Sequence, residues 1–217
     1  MPDRVRAMFI NSLSGFKSAN LIATANEQGQ TNLAMFSSVV HLGASPALIG
    51  FVMRPDNGQR HTLNNIIETG YYTINQVSTE FYRQAHQTSA RYLKEQSEFD
   101  ETHLTPLYIK GLSVPFVEKS KLKYAVKLQQ IVPISSNNTQ FIIGEIVHVI
   151  CEDVAIQEDG YIDIASLGSV SISGLDAYHN SLSLGRLNYA KPDVKLEDYK
   201  LAIKARWFDW LSKRKGK

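Results

Sequence analysis

The chain has 217 residues, 43% of them hydrophobic, which is enough for one domain with a sizeable core. Its formal net charge of +2 is too small to predict a nucleic-acid partner, and no apolar run approaches the ~18 residues of a membrane span. The lone Cys151 cannot form an internal disulfide and the first residues lack the apolar core of a signal peptide, so we expect a cytoplasmic protein.

Short β-like runs dominate the first three quarters of the chain. Asn20–Ala25 and residues 31–40 flank a polar turn, and this pattern predicts a hairpin in which Gly29 supplies a positive φ. The other predicted strands are Ala47–Met53 and residues 71–77, 123–133 and 141–151, the last two forming a later hairpin. Many short strands with few helices predict a mainly β fold, either a barrel or a sandwich.

Helical patterns are fewer. His61–Thr69 is a short candidate between two strands, and residues 79–94 form a longer one. Near the end, apolar residues recur at spacings of three or four, with Asp193 at the N-cap position, and this pattern predicts a terminal helix. The residues of that apolar stripe are Leu196, Tyr199, Ile203, Trp207, Trp210 and Leu211.

The charge is distributed unevenly along the chain. Residues 204–217 carry six basic side chains and one acidic one, a net charge of +5 against −3 for the remainder. Such a tail is either a solvated segment or a contact for a partner. We therefore predict a barrel domain over residues 1–195 and a basic C-terminal helix or tail over residues 196–217.

The familiar catalytic motifs are absent from the sequence. It contains no G-x-G-x-x-G and no G-x-x-x-x-G-K-[ST], and it lacks H-E-x-x-H, C-x-x-C and G-x-S-x-G. The six histidines are scattered, so no metal site is predicted and no catalytic residue is assigned. A cofactor held by backbone groups and hydroxyls remains a serious alternative.

Two segments carry chemistry of that kind. Residues 31–38 mix small, hydroxyl and amide side chains in a strand, where a flat ring such as the isoalloxazine of a flavin could approach the backbone; the alternative is an ordinary edge strand. In residues 54–62, a glycine-bearing loop brings Arg60, His61 and Thr62 to a helix start. This arrangement suits a phosphate group; the alternative is an ordinary solvated loop.

In this order and spacing, the two segments resemble the flavin reductase-like family with the FMN-binding split barrel. Four further stretches match that family's pattern, and the likeness extends over about residues 10–190. They are Ser45-Pro46-Ala47-Leu48-Ile49-Gly50-Phe51, residues 62–66 followed by Tyr72-Thr73-Ile74-Asn75, Ser97-Glu98-Phe99-Asp100, and Phe141-Ile142-Ile143-Gly144-Glu145-Ile146-Val147.

The resemblance implies a split-barrel homodimer with FMN near the subunit interface. It assigns the flavin ring and ribityl chain to Asn32, Ala34, Met35, Phe36 and Ser37. It assigns the phosphate to Arg60 and Thr62. Second-rank candidates for binding the cofactor are Ser38, Arg54, His61 and Ser89. Residues 86–90 would either add polar contacts from the longer helix or form a solvent-facing turn.

The sequence departs from the family pattern at a nicotinamide contact. Many members carry Asp-His just before the Gly-Glu-Val strand, where this chain has Asn138 and Thr139, so NAD(P)H remains only a possible electron donor. By strand alternation His148 shares a face with Ile142, and it is either a replacement imidazole or a satisfied core histidine.

Three functions follow as hypotheses. The first is an FMN-dependent oxidoreductase that passes a hydride or electrons between a small-molecule or protein donor and acceptor. The second is a non-catalytic flavin-binding or electron-transfer module that is reduced by a partner protein. The third is a β-barrel interaction protein whose basic tail docks a partner or nucleic acid.

Overall fold

The computed structural model describes residues 1–55, 61–93 and 95–199, and these contain four α-helices and twelve β-strands. The helices are α1 (Asp3–Ser12), α2 (His61–Thr69), α3 (Tyr82–Gln87) and α4 (Glu98–Glu101). The strands are β1 (Lys17–Ser18), β2 (Asn20–Ala25), β3 (Thr31–Phe36), β4 (Val40–Ala44), β5 (Ala47–Met53), β6 (Tyr71–Gln76), β7 (Pro106–Leu107), β8 (Phe116–Val117), β9 (Leu122–Ile134), β10 (Thr139–Cys151), β11 (Val170–Ser173) and β12 (Ala177–Asn180).

Seven strands form the main sheet, in the order β3-β2-β6-β9-β10-β5-β4, and every neighbouring pair is antiparallel. In a flat sheet the two outer strands would lie about 29 Å apart, because strands are spaced by about 4.8 Å. Yet the chain passes from β3 to β4 through only three residues, which reach about 14 Å at most. The sheet must therefore curl until its two edges meet, which makes a barrel.

Apolar side chains cover both faces of this sheet. The inner core joins Ile22, Phe51, Tyr72 and Ile142, and α2 adds Leu63 and Ile66 to it. On the outer face, Leu21 and Leu33 pack with side chains from α3, α4, β8 and β11. All six residues of β2 are accordingly buried, including the polar Asn20 and Thr24.

Most of the predicted elements are present in the structure. Strands β2 and β5 and helix α2 have the predicted bounds, and β9 and β10 form the predicted late hairpin. The predicted strand over residues 31–40 is instead two strands, because the chain leaves one edge of the sheet at Phe36 and joins the other edge at Val40.

The predicted helix over residues 79–94 is much shorter, since α3 ends at Gln87. The backbone N–H groups of Thr88, Ser89 and Ala90 each bond three residues back, and the Thr88 hydroxyl donates to the carbonyl of Ala85 at 2.8 Å. These tight turns satisfy the last helical carbonyls and end the helix. Lys94, the last residue of the predicted helix, lies outside the described residues.

The predicted terminal helix does not begin where its sequence pattern places it. Asp193 has a φ of 60°, and Asp198 forms a β-bridge with Leu187. The Tyr199 N–H donates to the Arg186 carbonyl at 2.8 Å, so this part of the chain folds back on itself as an extended hairpin. The rest of the stripe, Ile203, Trp207, Trp210 and Leu211, lies outside the described residues, as does the basic tail.

We call residues 181–199 the C-terminal arm. Its anchor is Arg186, whose guanidinium lies 4.1 Å from the ring centroids of both Tyr161 and Tyr199. The same group donates to Gln157 at 2.6 Å and forms an ion pair with Asp159. Because of the hydrogen bonds from Arg186 and Tyr199, the pKa of the Asp159 carboxyl lies well below its usual range.

Within the described ranges, no helix is both long enough and apolar enough to cross a membrane.

Candidate functional site

The candidate site lies at the seam where the two edges of the curled sheet meet. The Phe36 ring at the end of β3 packs edge-to-face on Phe51 of β5, with centroids 5.0 Å apart. Ser38, in the link to β4, accepts the Val52 N–H at 3.0 Å and donates to the Val52 carbonyl at 3.2 Å. The hydroxyl of Ser38 thus holds the seam closed with both its donor and its acceptor.

The pleat of β3 divides the predicted ring contacts between two faces. Asn32, Ala34 and Phe36 lie opposite Thr24, Ile22 and Asn20 of β2. Because paired residues share a face, these three side chains point to the inner side of the barrel. Met35 points the other way and packs against the outer core, and Ser37 follows the strand in the link at the seam.

The outer edge of β3 presents backbone groups. The Leu33 N–H donates to the Glu98 carboxylate at 2.8 Å rather than to β2. Since hydrogen-bonded and non-hydrogen-bonded pairs alternate along an antiparallel ladder, the N–H and C=O of Met35 point outward in the same direction as those of Leu33. A donor and an acceptor of this kind are what the ring edge of a flavin requires.

A second group of polar atoms lies at the start of α2. The Asn32 amide donates to the Thr62 hydroxyl at 2.8 Å, and both side chains are more than nine-tenths buried. Because the Thr62 oxygen is the acceptor, its own proton is free to be donated elsewhere. The first N–H groups of a helix have no intrahelical partner, so Thr62 joins a set of donors suited to an anion.

Of the remaining phosphate candidates, the structure places His61 at this helix start. His61 is half-buried at the first position of α2, and Arg54 is exposed just after β5. Arg60 lies outside the described residues. Beside Asn32 and His61, a small cleft of about 120 Å³ is lined mostly by carboxamide side chains. These are Asn26, Gln28, Gln30, Asn64, Asn65 and Gln96.

Ser89 lies on the exposed turn that follows α3. The neighbouring His86 contacts Tyr178 of β12, with its Nδ1 3.0 Å from the tyrosine oxygen. Burial, and then the charge of Asp176, raise the pKa of Tyr178 to about 12. Ser89 and Ala90 thus face solvent after α3 while Thr88 is buried, and the described contacts do not join Ser89 to Asn32 or Thr62.

His148 is exposed, and its interpretation as a core histidine is wrong. Strand β10 has a register shift between Ile146 and His148, so the simple alternation from Ile142 fails there. At Asn138 and Thr139 the hairpin turn satisfies itself, because the Asn137 side chain accepts both the N–H and the hydroxyl of Thr139.

Sequence reasoning missed the role of one residue near the site. Glu98 belongs to the quoted Glu-Phe motif but received no function, and the structure places its carboxylate against β3. Burial raises its pKa, against the opposing effect of hydrogen bonds from the backbone N–H groups of Leu33 and of Glu98 itself. The contact joins residues 65 positions apart, so no local pattern could have indicated it.

Comparisons with known proteins identify the family and the fold. A model of the flavin reductase-like domain matches residues 13–163. The crystal structure of a candidate flavin reductase with a split barrel domain, from Shewanella frigidimarina NCIMB 400, shares 55% identity and a TM-score of 0.85, covering 88% of this chain and 94% of that one.

More distant relatives share either the fold or detectable sequence identity over part of the chain. The uncharacterized protein BH2278 of Halalkalibacterium halodurans is 30% identical over 156 residues, 69% of this chain and 74% of that protein. The structure of nitrilotriacetate monooxygenase component B from Bacillus cereus is 20% identical with a TM-score of 0.77, covering 86% of this chain and 95% of that one.

Proposed function

This chain belongs to the flavin reductase-like family, and on that premise we propose that it is an FMN-dependent oxidoreductase. The family and the split-barrel fold give it a flavin-related redox role. FMN as the flavin, and transfer of a hydride or electrons through it, are the proposal.

The observation that carries the proposal is the Asn32–Thr62 hydrogen bond at the start of α2. It joins the strand that would hold the flavin ring to the helix whose free N–H groups suit a phosphate. With its oxygen accepting from Asn32, the Thr62 hydroxyl would donate its own proton to a phosphate oxygen. Arg60, two residues earlier in the sequence, would add a guanidinium able to hold two phosphate oxygens at once.

The seam of the barrel supports the ring assignment. The outward N–H and C=O of Met35 would pair with the polar edge of the isoalloxazine, while Ala34 and Phe36 would border the ring and ribityl chain from β3. Bound FMN would supply the hydride or electron chemistry. The chain would orient the ring, and backbone donors would stabilise negative charge on its reduced form. The lack of a conspicuous catalytic triad in the sequence fits this division of labour.

A second candidate is an electron-transfer module that binds FMN but is reduced by a partner protein. The specific observation in its favour is the hairpin turn over residues 137–139. It carries no imidazole, and its polar groups are engaged in the hydrogen bonds from Thr139 to the Asn137 side chain. NAD(P)H would be the electron donor only if the protein is an enzyme. An electron-transfer module would instead receive its electrons from a partner protein. The basic tail could dock such a partner, and the net charge of +2 does not favour nucleic acid as that partner.

Steady-state oxidation of NADH and NADPH separates the two candidates. For the enzyme, we expect FMN-reconstituted protein to consume one of the two nicotinamides in many turnovers with free flavin or another acceptor present. The module would instead accept electrons stoichiometrically from dithionite but show no nicotinamide turnover. Protein that binds no flavin would contradict both candidates and favour the interaction protein.

A further inference from the structure

We propose that Glu98 is a positioning residue that fixes the flavin-binding edge of β3. The inference rests on the proposed FMN function and assigns to that site a residue which does not itself touch the cofactor.

The first support is the contact between Glu98 and β3. One carboxylate oxygen of Glu98 accepts the Leu33 N–H at 2.8 Å, and the residue is only 9% exposed. Beside it, the hydroxyls of Thr31 and Ser97 lie 2.7 Å apart. Two successive residues, at the N-cap and first position of α4, therefore hold two alternate residues of the edge strand.

The second support is the place of this contact in the strand. β3 is an outer strand of the sheet, so β2 holds it from one side only. Leu33 is adjacent to Asn32, whose amide reaches Thr62, and it lies two residues, about 6.8 Å, from Met35. The carboxylate thus fixes the strand between the proposed phosphate contact and the proposed ring contact.

The third support is the cost of placing a carboxylate there. A buried carboxylate is retained only where hydrogen bonds compensate the loss of water, and Glu98 has the Leu33 N–H for this purpose. The adjacent outer core contains a cluster of apolar side chains that includes Phe99, Leu33 and Leu104. A side chain that served packing alone would be apolar as well.

Titration with FMN and with riboflavin tests the proposal in Glu98→Ala and Glu98→Gln. The alanine variant loses the acceptor and is expected to bind both flavins about tenfold more weakly, with a shifted visible spectrum of the bound flavin. The glutamine variant keeps an acceptor oxygen and is expected to stay within about threefold of the wild type. Loss of a phosphate contact would spare riboflavin, so a parallel loss of both flavins marks a ring-positioning role.

Glu101→Ala is the matched control, because Glu101 lies on the same short helix, is exposed, and has a carboxylate that is bonded only by the Gln96 side chain among the contacts described. It is expected to bind FMN like the wild type. If Glu98→Ala fails to fold, Glu98→Asp replaces it, since the shorter carboxylate keeps the charge but is drawn away from Leu33; weakened binding supports the proposal.

The proposal is overturned if Glu98→Ala, or Glu98→Asp in its place, binds both flavins with wild-type affinity and spectrum. It is also overturned if Glu98→Gln binds the flavins as weakly as Glu98→Ala, because the hydrogen bond to the Leu33 N–H would then not account for the loss of affinity. A wild type that binds no flavin overturns the proposed function itself, and the two failures are therefore distinguishable.

Discussion

At the residue scale, the contact between Asn32 and Thr62 decides whether strand and helix act as one site. The family resemblance assigned both residues to one cofactor although they lie 30 positions apart, and the structure places them in a direct hydrogen bond. Each side chain is buried, so neither can exchange its partner for bulk water without moving. Substitution of either therefore affects stability as well as binding.

Thr62→Val tests this contact. The change keeps the branched shape but leaves the buried Asn32 amide without its acceptor, so we expect unfolding to require about 1–3 kcal/mol less free energy. FMN affinity should also fall, since the proposed phosphate donor is lost. Thr62→Ser retains the hydroxyl and serves as the control in denaturant titration and flavin binding. Equal stability and equal FMN affinity of the two variants would show that the Thr62 hydroxyl does not contribute to the site.

Gly144 shows why one motif residue has its identity. A Cβ built there would clash with the Val126 side chain and would lie 2.6 Å from the Tyr72 hydroxyl oxygen and 2.9 Å from the Lys127 carbonyl. The Tyr72 hydroxyl is buried and has no hydrogen-bond partner among the described residues. The glycine of the Gly-Glu-Val stretch is thus explained by close packing around Tyr72, with no ligand required.

We expect Gly144→Ala to lower the free energy of unfolding by about 1–3 kcal/mol through overpacking. Gly43→Ala is a suitable control, because a Cβ there meets only the Pro46 carbonyl, at 3.4 Å, and its backbone is not in the left-handed region. Thermal or urea unfolding compares the two. A Gly144→Ala protein as stable as the Gly43→Ala protein would show that the barrel wall can yield at this point.

At the element scale, β2, β5 and α2 were predictable because each has a helical period or a mainly apolar run beside turn residues. The break between Phe36 and Val40 was not, because it depends on where the two edges of the sheet meet. Local composition does not encode that meeting. The amphipathic helix α1 was overlooked, and all of its residues remain at least partly exposed.

Long-range contacts limited the prediction of the site in the same way. The Ser38 hydroxyl was proposed as a flavin contact, yet it holds the backbone of Val52, 14 residues away. Glu98 reaches Leu33 across 65 residues. The apolar period near Leu196 predicted a helix, but pairing with residues 186–188 and stacking of Tyr199 on Arg186 hold that stretch extended.

The C-terminal arm depends on one side chain for its docking. Arg186→Ala removes two ring contacts and the ion pair with Asp159, and we expect several-fold faster hydrogen exchange of residues 186–199 with FMN binding unchanged. Arg186→Lys keeps the charge without the planar guanidinium and should give an intermediate rate. Unchanged exchange in both variants would show that the backbone pairing alone holds the arm.

The pH dependence of that docking follows from the lowered pKa of Asp159. A carboxyl whose pKa is depressed in the folded state stabilises it above the unfolded pKa, and this contribution is lost as pH falls through the folded pKa. Exchange in the arm, corrected for its intrinsic rate, should therefore stay constant between neutral and mildly acidic pH. An opening of the arm in mildly acidic solution would contradict the ion pair.

At the scale of the whole molecule, many large apolar side chains are exposed in the C-terminal arm. Leu182 and Tyr189 are 89% and 90% exposed. Apolar surface of this extent is typical of an interface, and we propose that a second copy of the chain covers it.

We also propose that residues 1–195 form the domain and residues 196–217 the tail, and that the protein is cytoplasmic.

Light scattering of the flavin-bound protein tests the homodimer. We expect a mass near twice the 24.3 kDa of one chain at micromolar concentration. Burial of the arm and burial of the flavin at the interface would both favour the dimer. A species of 24.3 kDa with flavin bound would refute the dimer and leave the exposed arm to another partner.

The most direct test of the central claim is the visible spectrum of purified protein titrated in parallel with FMN and riboflavin. The two ligands differ only by the phosphate, so their affinities isolate the proposed site at Thr62 and Arg60. We predict a yellow protein that binds FMN at least about tenfold more tightly than riboflavin, the lower value expected for a hydrogen bond to a charged group. Equal affinities would contradict the phosphate site, and protein that stays colourless with both ligands would contradict flavin binding itself.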